Sequence, residues 1–478
     1  MTNLITRRRF LFQMGMTSIA FAGLTSSLGC SSSRKNVSND LVPDPKGMLD
    51  LPKGFTYSMI SETGQDMEGG FKVPERPDGM AAFSMPNGDI ALIRNHEILA
   101  EMTPFIPNSA KLKDVPKELT YDGFVDSDLR LAGGTSTIIL DAKSLEKKRE
   151  FYSLLGTQWN CAGGSTPWNT WISCEENENK AFDKIDLARY VEWGLLSDEQ
   201  AKEFDLRVEK DHGYAFEVDP LNDGLSSPEP LRNLGRFKRE AIAVDPRNNI
   251  IYQTEDDRQG LFYRFIPQNS KFSGKLQALK IKNKEKFNTQ NASSEIKEGI
   301  RYEVEWVNIE DYEAQNYKLR EHGFNELGAT QFVRGEGITV ATDGVYFVCT
   351  EGGYNRLGQI WKYSPSKLEG KKNEQSRPGY IELFYESRSK EDFFMGDNLT
   401  VSPWGDLIVC EDNYSISSSN RILGIRPDGT VYKLANNPGS NSEFAGACFS
   451  PDNSILFVNL QIDPGRTFAI RGDWKMLG

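Results

Sequence analysis

The sequence has few histidines, few cysteines and almost no long apolar runs. Its 478 residues include three His and six Cys. A zinc site built on several histidines is therefore excluded, and a disulfide framework is not expected in a chain of this length. After the first thirty residues, no stretch approaches the roughly 18 consecutive apolar residues of a membrane-spanning helix. The net charge of −12 and the lack of a basic block argue against nucleic acid as a partner.

Two widespread catalytic motifs are also missing. The chain has no Gly-rich loop followed by Lys and Ser or Thr, which binds nucleoside triphosphates, and no Gly-x-Ser-x-Gly elbow of serine hydrolases. What the sequence does contain is a globular composition, with 38% hydrophobic and 26% charged residues, and 68 Asp and Glu. The carboxylates are therefore the main candidates for catalytic or metal-binding chemistry.

The N-terminus has the pattern of an export signal. The segment Thr6-Arg7-Arg8-Arg9-Phe10, followed by an apolar run from Met14 to Leu28, resembles the twin-arginine signal that directs folded proteins across the bacterial inner membrane. The run ends at Ser27-Leu28-Gly29-Cys30, which resembles a lipoprotein cleavage site. We therefore expect the twin-arginine export machinery as a partner and a lipid on Cys30 as the chain's contact with a membrane. The expected location is the bacterial cell envelope, as a periplasmic or outer-membrane-anchored lipoprotein, or the cell exterior.

One hairpin pattern recurs along the chain with insertions of variable length between its copies. In the clearest copies a polar residue begins one strand, a turn rich in Asp, Asn, Gly or Pro follows, and an acid ends the next strand. The copies run from Asp78 to Glu97, Asn160 to Glu175, Glu240 to Glu255, Glu336 to Glu351, Asp397 to Glu411 and Glu443 to Gln461. A further strand rich in Val, Ile, Tyr and Phe follows each copy.

Six such modules predict an all-β fold, a six-bladed β-propeller with helical and loop insertions. One insertion, from Phe182 to Arg207, has the spacing of a helix, and another contains possible strands at Leu276–Ile281 and Tyr302–Ile309. The predicted domains are a signal peptide with a lipoprotein-like cleavage site (residues 1–30), a flexible linker (31–50) and a single propeller (51–478).

The hairpin geometry places acids at one end of every module, because the first residue of one strand lies beside the last residue of its antiparallel partner. If the modules are arranged radially, these acids converge around one mouth of the central channel: Glu97, Glu175, Glu176, Glu240, Glu255, Asp256, Asp257, Glu336, Glu351, Asp397, Glu411, Asp412 and Glu443. Two carboxylates about 4 Å apart repel by roughly 4 kcal/mol. Such a ring requires cations, and its oxygen donors suit Ca²⁺ and Fe³⁺, while the adjacent Cys174 would favour a transition metal.

Several segments resemble the PhoX-type alkaline phosphatase family, and together they cover nearly all of the chain after the signal. They are Asn160-Cys-Ala-Gly-Gly-Ser-Thr-Pro-Trp-Asn-Thr-Trp-Ile-Ser-Cys-Glu-Glu-Asn177, Gly235-Arg-Phe-Lys-Arg-Glu-Ala241, Asp256-Asp257 leading to Tyr263-Arg-Phe-Ile-Pro267, Arg334-Gly-Glu-Gly337, Asp397-Asn398, and the closing Phe449-Ser-Pro-Asp452 with Leu456-Phe-Val-Asn-Leu-Gln461. Two positions depart from the family pattern: Asn169 stands where Gly is usual, and Arg239 stands where His is expected.

The resemblance implies a phosphomonoesterase that hydrolyses small phosphate esters with Fe³⁺ and Ca²⁺, and we expect it to be a monomer. The resemblance also implies Cys174 as the thiolate ligand of iron and carboxylate ligands at Glu175, Glu240, Asp257, Glu336 and Asp397. From the predicted ring of acids, Glu97, Glu176 and Glu411 are further candidate metal ligands. Arg334 is the expected phosphate clamp, since a guanidinium binds tetrahedral oxyanions through paired hydrogen bonds. Asn160, which begins the first segment, is the second candidate catalytic residue. Two alternatives use the same channel: a calcium-binding propeller without catalytic activity, and a calcium-dependent lactonase-type hydrolase.

Overall fold

The computed structural model describes residues 40–188, 191, 197–203, 205–413, 419–462 and 464–477. Short strands dominate these ranges. The first half comprises β1 (Leu41–Val42), β2 (Leu51–Pro52), β3 (Thr56–Glu62), β4 (Pro77–Ser84), β5 (Ile90–His96), β6 (Gly133–Leu140), β7 (Lys147–Thr157), β8 (Asn160–Ser165), β9 (Trp171–Glu175), β10 (Ala215–Val218), β11 (Arg239–Val244), β12 (Ile251–Glu255) and β13 (Phe262–Ser270). The second half comprises β14 (Ser273–Ile281), β15 (Arg301–Ile309), β16 (Gly335–Ala341), β17 (Gly344–Cys349), β18 (Gln359–Ser364), β19 (Tyr380–Glu386), β20 (Gly396–Val401), β21 (Leu407–Glu411), β22 (Arg421–Ile425), β23 (Val431–Asn436), β24 (Phe444–Phe449), β25 (Ile455–Leu460) and β26 (Arg466–Arg471).

Helices are few and short in the described ranges. They are the α-helices α1 (Asp198–Glu203) and α2 (Leu319–Asn325), and the single-turn or two-turn 3₁₀ helices Glu68–Gly70, Ala100–Phe105, Ser109–Asp114, Lys117–Leu119, Arg232–Leu234, Glu374–Ser376 and Trp474–Met476. No helix in these ranges has the length and hydrophobicity needed to cross a bilayer. The twin-arginine segment and Cys30 lie outside the described residues.

The chain is all-β, and its antiparallel sheets are arranged like a propeller. The strand orders are β4-β5-β6-β7, β10-β9-β8, β20-β21-β22-β23 and β24-β25-β26-β3, together with a nine-stranded sheet β11-β12-β13-β14-β15-β19-β18-β17-β16. The inner strands β4, β8, β11, β16, β20 and β24 contact one another in that order, and β24 returns to β4. These strands therefore surround a central channel.

Hydrophobic clusters fill the spaces between neighbouring sheets and so cover both faces of the inner strands. One cluster joins β8–β10 to β11–β14 through Cys174, Phe237 and Tyr263, and another joins β4–β7 to β8–β10 through Ile93 and Tyr214. With both faces packed in this way, the residues at the strand ends are held around the channel mouth.

The sheets are not six separate units, which differs from the prediction. The β14–β15 hairpin confirms the two predicted insertion strands, but Arg301–Glu303 of β15 pairs with Tyr380–Glu382 of β19. This outer pairing joins the sheets that begin at β11 and β16. The sheet of β8 has only three strands. Of the predicted insertion helix, α1 is confirmed, and residues 189, 190, 192–196 and 204 lie outside the described ranges.

The sheet that ends the chain is completed by its beginning. β3 pairs with β26, so that N-terminal and C-terminal segments share one sheet. The described part of the predicted linker is folded: β1 pairs with β2, Asp50 bridges to Asn436, and the side chain of Leu49 is buried. The linker prediction is therefore corrected for residues 41–50, because Leu49 and Leu51 supply apolar side chains to the core.

Candidate metal centre and active site

The same backbone irregularity occurs at the start of five inner strands. In β4, β8, β11, β16 and β20 the residue after the first paired position lies in a β-bulge, with two residues opposite one of the partner strand. A bulge at a strand end redirects a side chain, and here it does so five times around one channel. The redirected residues are Asp78, Cys161, Glu240, Glu336 and Asp397.

These side chains line a cavity of about 460 Å³ at one mouth of the channel. The described lining residues comprise eleven carboxylates, three basic side chains, one thiol and one indole. They are Asp78, Glu97, Trp159, Cys161, Glu176, Lys238, Glu240, Asp256, Asp257, Arg258, Arg334, Glu336, Glu351, Asp397, Asp412 and Glu443. Ten of the thirteen acids expected at the mouth are present, and Asp78 is added.

The potential ligand atoms form a continuous chain across this cavity. Four groups of three overlap, and the ligand atoms within each lie no more than 4.8 Å apart. The groups are Asp78, Glu97 and Cys161; Cys161, Glu176 and Glu240; Glu240, Glu336 and Asp397; and Asp397, Asp412 and Glu443. Shared members connect each group to the next, as expected for a site that holds several ions close together.

Burial and mutual repulsion disfavour ionised carboxylates here. Burial, with the neighbouring Asp412 carboxylate, raises the pKa of Asp397 to about 8. The same causes, burial first and nearby carboxylates second, raise the pKa values of four other members well above their usual range: Asp78, Glu176, Glu240 and Glu336. Cations would remove this penalty.

One buried acceptor also points to a cation. Oδ1 of Asp78 is buried and has no hydrogen-bond partner among the described residues, while its Oδ2 accepts a hydrogen bond from Gln461 at 3.0 Å. A buried carboxylate oxygen without a donor is costly. The donor set, many carboxylate oxygens and one thiol, fits hard cations such as Ca²⁺ and includes one ligand that favours a transition metal.

The thiol at this site belongs to Cys161, which corrects the prediction for Cys174. Sγ of Cys161 lies 3.1 Å from Glu176 Oε2 and 3.5 Å from Glu97 Oε1. Cys174 is fully buried in the hydrophobic cluster between β8–β10 and β11–β14, where burial raises its pKa to about 12. Its position beside Glu175 in sequence does not bring it to the cavity, because Cys174 lies within β9, paired with Ala215 of β10 and packed in this cluster.

Three predicted acids point away from the cavity, because adjacent side chains at a strand end turn to opposite sides and the residue after each of them lines the cavity. Glu175, Glu255 and Glu411 end β9, β12 and β21, and each is fully buried against donors outside the cavity. Glu175 accepts hydrogen bonds from the backbone N–H groups of Gly213 and Gln158 and contacts Nδ1 of His212. The metal-ligand predictions for Glu175 and Glu411 are therefore not supported.

The other two acids of this kind bind arginines. Glu255 accepts a hydrogen bond from Arg320 Nη1 at 2.7 Å. Glu411 accepts hydrogen bonds from Nε and Nη2 of Arg421 at 2.7 and 2.6 Å. In each pair of adjacent acids, the first therefore forms buried contacts outside the cavity. The second, which is Glu176, Asp256 or Asp412, faces the channel mouth.

The remaining predicted residues divide between cavity and core. Glu97, Glu176, Glu240, Glu336 and Asp397 line the cavity with Arg334. Asp257 also lines it, but it lies 3.3 Å from Arg320 Nη2 and 3.6 Å from Lys238 Nζ and is absent from the close ligand groups.

Asn160 is fully buried beneath the site and does not line the cavity. Its Nδ2 donates to Ser173 Oγ at 2.9 Å, and its Oδ1 accepts a hydrogen bond from Thr157 at 2.7 Å. The prediction of a catalytic Asn160 is therefore not supported. The residue instead stabilises the start of β8, directly before Cys161.

Arg334 is held between two acids of the cavity. Its Nε and Nη2 donate to Asp256 at 2.8 and 2.6 Å, and Nη2 also donates to Glu336 at 2.8 Å. The guanidinium is thereby oriented by residues of the candidate metal centre.

The two departures from the family pattern have local explanations. Arg239 points away from Glu240 into the core, where its guanidinium donates to Gln253 and to the backbone carbonyls of Gly213, Leu234 and Gly235 and stacks on Phe237. It therefore adds no charge to the cavity. Asn169 has a φ of 65°, a left-handed turn conformation that Asn tolerates better than most residues in place of Gly.

The bulge register identifies the two potential metal ligands that sequence reasoning missed. Asp78 and Cys161 stand in their modules where Glu240, Glu336 and Asp397 stand in theirs. Aligning the first strands of the repeats, rather than searching for acids near a cysteine, would have found both.

Comparisons with known proteins identify a family for this chain. The family model "Alkaline phosphatase PhoX" matches residues 37–465. A structure of Pseudomonas fluorescens PhoX in complex with vanadate, a transition state analogue, is similar with a TM-score of 0.64 and 18% identity, over 92% of this chain and 98% of that one. Weaker similarity is seen to a Bacteroides thetaiotaomicron protein of unknown function (TM-score 0.43, 10% identity, 87% and 76% covered) and to a Xanthomonas campestris gluconolactonase (0.36, 10%, 92% and 99%). No curated protein matches at a significant level.

Fold and site together define a propeller-like protein with a carboxylate-rich and thiol-containing channel mouth. The chain belongs to the PhoX alkaline phosphatase family, because the family model covers most of its length. It is a phosphomonoesterase.

Proposed function

We propose that the protein hydrolyses small phosphate monoesters at a centre of iron and calcium ions held by the cavity side chains. The observation that carries this proposal is the set of overlapping groups from Asp78 to Glu443, with Cys161 as the thiol. Iron would be held by the Cys161 thiol and by the carboxylates grouped with it, those of Glu97, Glu176 and Glu240. Calcium would be held by the groups that contain only carboxylate oxygens.

Bound cations of this kind supply Lewis acidity, which neutralises phosphoryl oxygens and makes water a stronger nucleophile near neutral pH. The chain's own residues bind and orient the substrate. Arg334 would bind the phosphoryl group, since Asp256 and Glu336 already fix its guanidinium at the cavity wall. Lys238, also on the wall, adds a second positive charge.

This arrangement also explains how an acidic protein would bind an anion. The cavity's eleven carboxylates outnumber its three basic side chains, so its own charge repels phosphate. Only bound cations would reverse the sign of the local field. Substrate affinity should therefore depend on metal content.

We further propose export by the twin-arginine machinery, a lipid on Cys30 and action as a monomer in the bacterial cell envelope. The sequence from Thr6 to Phe10 supports this route. A polynuclear centre built from residues 78 to 443 can assemble only after folding, which suits a pathway for folded proteins.

We also propose that the fold is a six-bladed propeller. The closed ring of six inner strands supports this count, with β15 as an insertion strand that bridges two blades through β19.

The function is tested by metal analysis and visible absorption of the purified protein, together with phosphate release from p-nitrophenyl phosphate. We expect iron, calcium, an absorption band from a thiolate-bound ferric ion, and hydrolysis. A colourless protein that contains only calcium would refute the iron assignment, and an iron-containing protein without phosphatase activity would refute the reaction.

A further inference from the structure

A second ring of residues lies beside the bulge ligands. Two positions before each ligand lies a residue whose carbonyl oxygen accepts a backbone hydrogen bond. The donor is the N–H group of the first residue after the end of the neighbouring strand. The acceptors Arg76, Trp159, Lys238, Arg334 and Met395 bind the N–H groups of Glu97, Glu176, Asp256, Thr350 and Asp412 at 2.9 to 3.1 Å. We call these five acceptors the rim residues.

Four of the five rim residues have an unusual backbone conformation. Arg76, Trp159, Arg334 and Met395 have φ values from 50° to 52°. Glycine adopts such values at no steric cost, whereas large side chains disfavour them. The repeat therefore fixes the backbone. At Trp159 and Arg334, whose side chains line the cavity, a large side chain occupies this strained position, which indicates a role for the side chain itself.

Trp159 is the aromatic member of this ring, and among the described lining residues it is the sole aromatic one. Its backbone N–H donates to Ile98 O at 2.9 Å, and its indole Nε1 donates to Glu97 Oε1 at 2.6 Å. The ring is therefore held in one orientation before substrate arrives, and little side-chain freedom is lost on binding.

A phosphate monoester has two parts that the cavity must accept. The phosphoryl group is matched by Arg334 and the cations of the proposed function, on which this inference rests. For the organic leaving group, the described lining offers Trp159 as its one aromatic surface, since its other side chains are carboxylates, basic groups and a thiol.

We propose that Trp159 determines leaving-group specificity by stacking on planar aromatic groups, so that aryl phosphates are preferred over alkyl phosphates. Aromatic pairs of this kind are worth about threefold to tenfold in affinity beyond buried area. Trp159 is thus a specificity-determining residue of the site and lies two blades from the phosphate clamp.

The test compares kcat/KM for phenyl phosphate and ethyl phosphate in the metal-loaded wild type and in Trp159→Leu, Trp159→Phe and Met395→Leu. The ratio of the two substrates cancels any effect on metals or phosphoryl transfer. We expect Trp159→Leu to lower the phenyl-to-ethyl ratio about threefold to tenfold, and Trp159→Phe to keep it within about twofold because the aromatic face remains. Met395→Leu, at the same rim position but outside the cavity, should leave the ratio unchanged.

If Trp159→Leu does not fold, a binding measurement on the wild type tests the preference for aryl over alkyl groups. Calorimetry on the wild type should show tighter binding of phenylphosphonate than of methylphosphonate. An equal loss of both activities in Trp159→Leu, or equal affinities for the two phosphonates, would overturn the specificity role while leaving the phosphatase function intact. A wild type that hydrolyses neither ester would instead remove the proposed function, and this inference with it.

Discussion

Cys161 and Glu240 occupy the same bulge position in neighbouring inner strands, β8 and β11, and their ligand atoms lie within 4.8 Å of each other. One repeat position thus carries a thiol in one module and a carboxylate in the next. This relationship places the soft ligand and a hard ligand side by side.

Replacement of the two cysteines should separate these roles. Cys161→Ala removes the thiol from the cavity, so we expect loss of iron and of the visible absorption band. Cys174→Ala alters only the hydrophobic cluster, so it should keep the band and lose about 1 kcal/mol of stability. Iron analysis and absorption spectra of both variants test this, and loss of the band in Cys174→Ala alone would restore the original prediction.

Adjacent acids should likewise have different effects. Glu411→Gln breaks the buried pair with Arg421 and should cost about 3 kcal/mol of unfolding free energy with little change in metal content. Asp412→Asn removes a cavity carboxylate and should lower the calcium content. Denaturant unfolding and metal analysis of both variants test this. Loss of metal from Glu411→Gln, with normal metal content in Asp412→Asn, would contradict the two roles.

Arg334 should contribute to phosphate binding and turnover. Arg334→Ala is expected to lower kcat/KM for p-nitrophenyl phosphate by about 10²-fold to 10³-fold, the usual effect of removing one donor to a transition-state oxyanion. It should also weaken inhibition by inorganic phosphate. Arg334→Lys should recover part of the loss, because it keeps the charge without the paired donors. Unchanged phosphate inhibition in a variant with normal metal content would show that another residue is the clamp.

The metal-free protein should become less stable as pH rises. The pKa of Asp397 is raised to about 8 in the folded state from an ordinary value of 3.8, so the folded chain holds a proton that the unfolded chain releases. This contribution to stability is complete below pH 3.8 and is lost as pH rises towards 8. Thermal melting of chelator-treated protein should therefore show a lower Tm at pH 8 than at pH 5. Calcium should remove the difference, and a higher Tm at pH 8 without metal would contradict the burial of these carboxylates.

The sequence predicted the repeat and the convergence of acids because both follow from strand periodicity and hairpin geometry. It did not predict which acid of a pair faces the channel. That choice between Glu411 and Asp412 depends on alternation at the strand end and on Arg421, which approaches from β22. Strand β15 was predicted, but its pairing with β19 was not, since side-chain patterns do not specify contacts between distant strands.

Cys161 shows a different limit of sequence reasoning. It is followed by Ala162 and two glycines, which suggest a buried cysteine, whereas Cys174 precedes two acids. The bulge turns Cys161 towards the cavity, and the one sequence signal for it is the alignment of Cys161 with Glu240 and Glu336 in the other repeats.

The most direct test of the account is the phosphatase activity of one preparation before and after removal of its metals. The account predicts that chelation abolishes hydrolysis of p-nitrophenyl phosphate and that iron and calcium together restore it. Full activity in protein shown to contain neither metal would contradict it.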